Sequence, residues 1–259
     1  MISKPRLIYR ITLVILLITA GFLICGLIFP IINLTFNAKK AKDKINCIKL
    51  RWIKCFSAIL HLKINTNGNM DSDAETIICN HISWIDIVAL GQFIPGYFVA
   101  KNDIVHWPVI GFISRQCGTI FIRRGERQQI KETAEKIAWL IKQNRKIMAF
   151  PEGTTSDGTS LLPFHASLLQ PAILTKTSIQ PAVIQFTGKA KKLAPFIGED
   201  AFVPHLVRML QMPEIYLDLK FLPVISSADK KRQTLNQEVW SAINAEIIAS
   251  QDFEKLVNY

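Results

Sequence analysis

From Ile11 to Ala38 the chain carries no charged side chain, and Ile11 to Ile32 is almost wholly apolar. A helix of about 20 such residues spans a bilayer core, so the run predicts a membrane anchor. A secretory signal has a shorter apolar region and a small-residue cleavage site. Around Cys25 the sequence FLICG puts Ile before the cysteine, which makes a poor lipoprotein site as well. Gly21, Gly26 and Pro30 weaken a straight helix, so a kinked or re-entrant segment stands beside a simple span. Lys4, Arg6 and Arg10 precede the run, and Lys39, Lys40, Lys42 and Lys44 follow it. Positive charge on both sides leaves the orientation open; if the second cluster prevails, the bulk of the chain is cytoplasmic.

The next stretch, AKDKINCIKLRWIKCFSAILHLKI, repeats apolar residues at helical spacing: Ile45, Ile48, Trp52, Ile53, Phe56, Ile59 and Leu60. Lys44, Lys49, Arg51 and Lys54 lie off that stripe. A basic amphipathic helix carrying a Trp suits the headgroup region of an anionic membrane, and that reading is preferred here to a helix packed on a domain. The chain has 31 Lys and Arg against 20 Asp and Glu, a net +11. This excess concentrates beside apolar segments, and no nucleic-acid-binding motif accompanies it, so lipid rather than nucleic acid is the expected partner. The five cysteines form no CxxC pair and have no His at zinc-ligand spacing, so neither a metal site nor a disulfide framework is expected.

After the turn-like NTNGNMDSDAE the pattern changes. TIICN, GYFVA, GTIFI, KIMAF, IQPAVIQF and EIYLDLKFLPVI read as strands. SWIDIVALGQF, VIGFISRQC (a short helix or a packed loop), RQQIKETAEKIAWLIKQNR and the tail from Ala228 to Val257 read as helices. In the third of these Ile130, Ala134, Ile137 and Leu140 share a face, and in the tail Leu235, Val239, Ile243 and Ile247 do. Such alternation predicts an α/β fold, a largely parallel central sheet flanked by helices, preceded by the anchor and the basic helix. The expected division is 1–65 for the membrane part and 66–259 for the α/β domain.

Functional residues of such folds collect after the carboxyl ends of the strands. Three polar clusters stand there: NHISWID (80–86), RRGER (123–127) and PEGTTSDG (151–158). In the first, Ser83 and Asp86 make an S-x-x-D capping box, a device that starts a helix. That alone leaves His81 unexplained. Five positions apart on a regular helix, His81 and Asp86 would be about 140° out of phase and could not meet. They meet if His81 lies in the strand-to-helix turn and Asp86 in the first helical turn. A carboxylate on one imidazole nitrogen fixes the tautomer and leaves the other nitrogen to take a proton. No GxSxG elbow is present, and Cys79 falls within a strand. Cys117 stays open as a nucleophile, and the hydroxyl to be activated is expected to belong to a substrate.

NHISWID, GTIFIRR, FPEGTTSDG and IQPAV, in this order and spacing, resemble the four motif blocks of the membrane glycerolipid acyltransferases, which include 1-acylglycerol-3-phosphate acyltransferases. The resemblance covers about Thr76 to Ile184. It implies that His81 is a general base oriented by Asp86, with Asn80 and Ser83 in support, and that a lysolipid hydroxyl attacks a fatty-acyl thioester on coenzyme A or acyl carrier protein. It implies acceptor binding by Gly118, Phe121 and Arg123, with Arg124 sharing the role. Glu152, Gly153 and Thr154 are expected close to His81, where backbone N–H groups and a hydroxyl meet a phosphate or oxyanion. Pro181 would support substrate binding in the fourth block. Many lysophosphatidate enzymes carry Arg after Glu-Gly-Thr, whereas Thr155 stands there in this chain. That departure resembles branches acting on other lysolipids, including lyso-ornithine lipid.

The expected activity is thus O-acyl transfer to a lysophospholipid in phospholipid biosynthesis, with lyso-ornithine lipid as the alternative acceptor. No cofactor is expected beyond the thioester co-substrate. The expected location is the inner membrane of a bacterium, catalytic domain toward the cytoplasm. A non-catalytic membrane adaptor of the same fold would predict a degraded first block, and a thioesterase would release free fatty acid without acceptor. His61, His165 and His205 show no partner pattern in the sequence and are assigned no role.

Overall fold

The computed structural model describes residues 2–122 and 127–257. The apolar run is one helical rod, Lys4–Thr35: α1 (Lys4–Leu23), a π-helical stretch (Ile24–Ile28) and α2 (Phe29–Thr35). Among the described residues it is the one helix long and apolar enough to cross a membrane. Pro30 falls inside the rod, just after the π-helical stretch, where it has no N–H to give the helix ladder. Ile8, Ile15, Leu16, Leu27 and Leu34 point outward from the protein. Arg10 faces protein: it is buried, and its guanidinium donates to the carbonyls of Leu210, Met212 and Pro213.

The basic stretch forms α3 (Ala38–Leu60), with Asn37 Oδ1 capping the Lys40 N–H at 3.0 Å. Its apolar stripe faces protein, which corrects the expectation of a lipid-facing stripe. Ile53, Phe56 and Ile59 join the main core, and Ile45 and Ile48 pack beside Cys25 and Phe29. Trp52 Nε1–H donates to the Leu17 carbonyl at 2.9 Å, an approach that Gly21 permits, since a Cβ there would lie 2.7 Å from that nitrogen. Lys49 also turns inward, donating to the Cys117 carbonyl at 2.7 Å. The exposed face keeps Lys44, Arg51 and Lys54.

HLKI is not helical. His61 ends α3 in the left-handed region (φ 53°), and Leu62–Asn67 is a strand, β1, which crosses the division expected at 65/66. There follow β2 (Thr76–Cys79), α4 (Ile85–Gly91), β3 (Tyr97–Lys101), α5 (Ile110–Gln116), β4 (Ile120–Ile122) and α6 (Arg127–Lys142). Next are β5 (Ile147–Ala149), α7 (Gln170–Thr175), β6 (Ser178–Phe186), α8 (Ala190–Leu193) and α9 (Phe202–Leu210). Last come β7 (Ile215–Phe221), β8 (Ile225–Ser226) and α10 (Arg232–Val257). The strands form one sheet in the order β1-β7-β6-β2-β5-β3-β4, with β8 against β6. Neighbours are parallel except where β6 meets β7 and β8. The α/β fold with a largely parallel sheet is therefore as expected.

One face of the sheet packs on α3, α4, α9 and α1 through Leu60, Ile77, Ile85, Met209 and Leu217. The other packs on α7 and α10, where Leu235, Val239, Ile243 and Ile247 are all buried against Ile78, Ile179 and Val183. Pro181 belongs to this framework. It lies in register with Ile78 in the interior of β6, between the residues that pair with β8 (Ser178, Ile179) and those that pair with β7 (Ala182–Phe186). A proline is tolerated where the ladder changes partner, because no N–H is required there. Pro181 is buried in the sheet.

Gly118 is also corrected. It precedes β4, so it lies at the amino end of the parallel strands, opposite the edge to which NHISWID leads. Its φ is +86°, and a Cβ there would stand 2.3 Å from Tyr97 Cε1. A Gly118→Ala variant should lose about 2–4 kcal/mol from left-handed strain and overpacking. Urea unfolding monitored by tryptophan fluorescence would measure it, and an unchanged midpoint would contradict this account of the turn.

Candidate active site

β2 ends at Cys79 beside β6, and the chain must turn to enter α4. Asn80 extends the pairing by one residue through its side chain: Nδ2 donates to the Ile184 carbonyl (2.9 Å) and Oδ1 accepts the Ile184 N–H (2.8 Å). This leaves His81 at the carboxyl edge, outside both strand and helix. Asp86, fully buried in the first turn of α4, folds back toward it. Its Oδ2 accepts three hydrogen bonds, from His81 Nδ1–H (2.8 Å), Ile82 N–H (2.7 Å) and Ser83 N–H (2.8 Å). Only a donor can face a carboxylate so held, so Nδ1 carries a hydrogen, and in the neutral ring the lone pair is on Nε2. The His81 side chain is 17% exposed while Asp86 is sealed. The imidazole thus has one nitrogen fixed inside the protein and a ring partly open to solvent.

Ser83 does not cap the helix. The residue before α4 is Trp84, and Ser83 Oγ has no hydrogen bond among the described residues. Asp86 supplies the cap in the reverse direction, its carboxylate collecting the N–H groups of Ile82 and Ser83. The same oxygen therefore shapes the turn and orients the imidazole.

The third block lies directly against this turn because β5 is the parallel neighbour of β2. Phe150 stacks under the His81 ring, centroids 4.1 Å apart and planes 13° from parallel. Glu152 Oε1 accepts the His81 N–H (2.7 Å) and Oε2 the Leu162 N–H (3.0 Å). Ser156 N–H donates to the His81 carbonyl at 2.8 Å. Both backbone polar groups of His81 are thus held by the third block. Glu152 was expected to bind acceptor; instead both oxygens of its carboxylate are used as a brace. Burial, against the opposing pull of its two N–H donors and of His81, pushes its pKa up to about 7.

A raised carboxyl pKa means that this group favours the fold fully at pH values below its ordinary 4.5 and loses that contribution as pH rises through about 7. Glu152→Gln retains only one acceptor for two N–H groups, so the His81 backbone loses its seat. Turnover should fall at least about tenfold, and the stability change between pH 5 and pH 8 in thermal melts should flatten. Full turnover with an unaltered pH dependence of melting would refute the brace.

The remaining expected residues divide. Gly153 adopts φ +65° and its N–H donates to the Phe150 carbonyl, so this N–H is used within the turn rather than offered to an oxyanion. Thr154 is exposed. The Thr155 hydroxyl donates to the Phe196 carbonyl and is a tether between loops. Phe121 is half-buried in β4, opposite Ala100 of β3 and two strands beyond β5. Arg123 and Arg124, which follow β4, lie outside the described residues. His205 is a member of the site's surroundings that sequence reasoning passed over: Trp84 Nε1–H donates to its Nδ1 at 3.0 Å. No local pattern near residue 205 signals this contact, which joins elements 121 residues apart. No group of His, Cys, Asp and Glu suited to a metal ion occurs among the described residues.

The arrangement sets a partly exposed imidazole, its Nδ1 bonded to a buried carboxylate, at the carboxyl edge of the sheet. Residues 64–185, which contain the His81–Asp86 turn and the Glu152 loop, match the family described as Acyltransferase. A lyso-ornithine lipid O-acyltransferase from Pseudomonas aeruginosa is 31% identical over 194 residues, 74% of this chain and 75% of that protein. A 1-acyl-sn-glycerol-3-phosphate acyltransferase from Neisseria gonorrhoeae is 29% identical over 180 residues, 68% of this chain and 70% of that protein. The crystal structure of a 1-acyl-sn-glycerophosphate acyltransferase from Thermotoga maritima shares the fold, with a TM-score of 0.69 at 19% identity, covering 95% of this chain and 98% of that one. The chain belongs to the acyltransferase family, and this protein is an acyltransferase.

Proposed function

We propose that the protein transfers a fatty acyl group from a thioester, acyl-CoA or acyl-ACP, to the hydroxyl of a lysophospholipid, with 1-acylglycerol-3-phosphate as the first acceptor to test. The observation that carries this reading is the His81–Asp86 contact at 2.8 Å. With Nδ1–H held by the carboxylate, Nε2 takes the proton from the acceptor O–H as its oxygen attacks the thioester carbonyl carbon. Collapse of the tetrahedral intermediate breaks the C–S bond, and the imidazolium returns the proton to the departing thiolate. Asp86 stays ionised and stabilises the imidazolium between these steps. Arg123 and Arg124 are proposed to meet the acceptor's anionic group, since planar guanidinium forks suit phosphate. The apolar outward face of Lys4–Thr35 supports a membrane location, proposed to be the cytoplasmic side of a bacterial inner membrane.

A second acceptor, lyso-ornithine lipid, is favoured by one specific observation. Thr155 stands where many lysophosphatidate enzymes have Arg, and its hydroxyl is committed to Phe196. The third block therefore offers an acceptor phosphate no cation from this position. Purified protein in mixed micelles, given acyl-CoA or acyl-ACP with a panel of lysolipids, decides by mass spectrometry of the products. Phosphatidate as the main product supports the first reading. Ester formation only on lyso-ornithine lipid establishes the second, and free fatty acid alone would sink both.

A further inference from the structure

We infer that His205 is a positioning residue for the turn that carries His81 and Asp86, acting through Trp84 and the 194–196 segment. His205 is fully buried at the centre of that contact set. An indole N–H can only donate, so the 3.0 Å bond from Trp84 Nε1 means that His205 Nδ1 is unprotonated. Nε2 then carries the hydrogen and donates to the Ala194 carbonyl at 3.2 Å. Both ring nitrogens are thereby occupied and a single neutral tautomer satisfies them. Burial first, and the charge of Arg208 second, hold the pKa below the ordinary histidine value, while Asp200 opposes them.

The neighbours of this imidazole lead directly to the site. The Phe196 ring stands edge-on to it, centroids 5.1 Å apart. Phe196 N–H donates to the Ile82 carbonyl at 2.9 Å, and its carbonyl accepts the Thr155 hydroxyl. One residue thus clips the first block to the third, and His205 holds that residue's segment to Trp84. Trp84 itself is stacked on Phe56 of α3 (5.8 Å) and edge-on to Phe202 of α9 (5.4 Å). It precedes Asp86 by two residues, so a change in its seat moves the carboxylate that orients His81.

The inference rests on the reading of His81 as the base, so one assay series must separate the two. With acyl-CoA and whichever of lysophosphatidate and lyso-ornithine lipid the wild type esterifies, His205→Leu should lower kcat about 10- to 100-fold with acceptor KM within about twofold. His205→Asn, which keeps an acceptor near the Nδ1 position, should recover most of that loss. Trp84→Phe removes the indole N–H together with part of the ring packed on Phe56 and Phe202; it should lose at least as much as His205→Leu, and the double variant should lose no more than Trp84→Phe alone. Should His205→Leu fail to fold, Trp84→Phe and His205→Asn carry the test. Equal losses in Leu and Asn, additive losses in the double variant, a change confined to KM, or an unchanged kcat would each overturn the inference. His81→Ala run alongside distinguishes the failures. If it retains turnover, the base assignment is wrong; if it alone is inactive, only the role of His205 is.

Discussion

His81→Ala should lower acyl transfer by about 10²- to 10⁴-fold, the range expected when a positioned general base is removed. The loss should fall on kcat, because the imidazole acts on a proton in flight and the surrounding loops bind without it. Structure should survive the change. The two backbone bonds of His81, to Glu152 and from Ser156, do not involve the ring. What is lost is the stack on Phe150 and the Nδ1 bond to Asp86, leaving that carboxylate its two backbone N–H donors. Purified His81→Ala with a near-native melting temperature and near-native turnover would remove His81 from the mechanism.

Asp86→Asn should be nearly as damaging while leaving the fold in place. The amide oxygen can occupy the position of Oδ2 and continue to accept from Ile82 and Ser83. It can still accept from Nδ1–H, but it brings no negative charge and so does not stabilise the imidazolium. A kcat loss of about 10²- to 10⁴-fold with modest destabilisation is expected. Asp86→Ala separates the two tasks of this side chain. It also removes the acceptor for two buried N–H groups of the turn, each worth about 1–3 kcal/mol when left unpaired. Thermal melts should therefore distinguish Ala from Asn, whereas activity should not. Equal melting temperatures for the two variants would show that the turn does not depend on this oxygen.

The central strands and the long amphipathic helices were legible because their apolar residues recur at the period of the element they form. Leu235, Val239, Ile243 and Ile247 mark the buried face of α10, and β2 is buried at every position. β1 was not legible. It is an edge strand with Asn65 and Asn67 exposed, paired only with β7, and Asn-rich sequence reads as turn. α9 was missed as well, with Pro204 inside its first turn and His205 at its core. The partner of the α3 stripe could not be read either, since apolar residues at helical spacing say that a face is covered and not by what.

The same division runs through the site. The order of residues in NHISWID determined that a His and an Asp five positions apart must meet across a strand-to-helix turn if they meet at all. The reaction class came from the resemblance of the four ordered blocks to the glycerolipid acyltransferases. The sequence could not say that Glu152 and Ser156 hold the backbone of His81, or that Thr155 and Phe196 close the loops together. Nor could it say that Gly118 turns the chain at the amino end of β4, or that Pro181 is buried where β6 changes partner. Those assignments depend on which strands are neighbours and on which side chains are already satisfied. A hydrogen-bonding group shows its residue type in sequence, but its partner is chosen by three-dimensional proximity, and only the packed sheet with α9 laid across it supplies that.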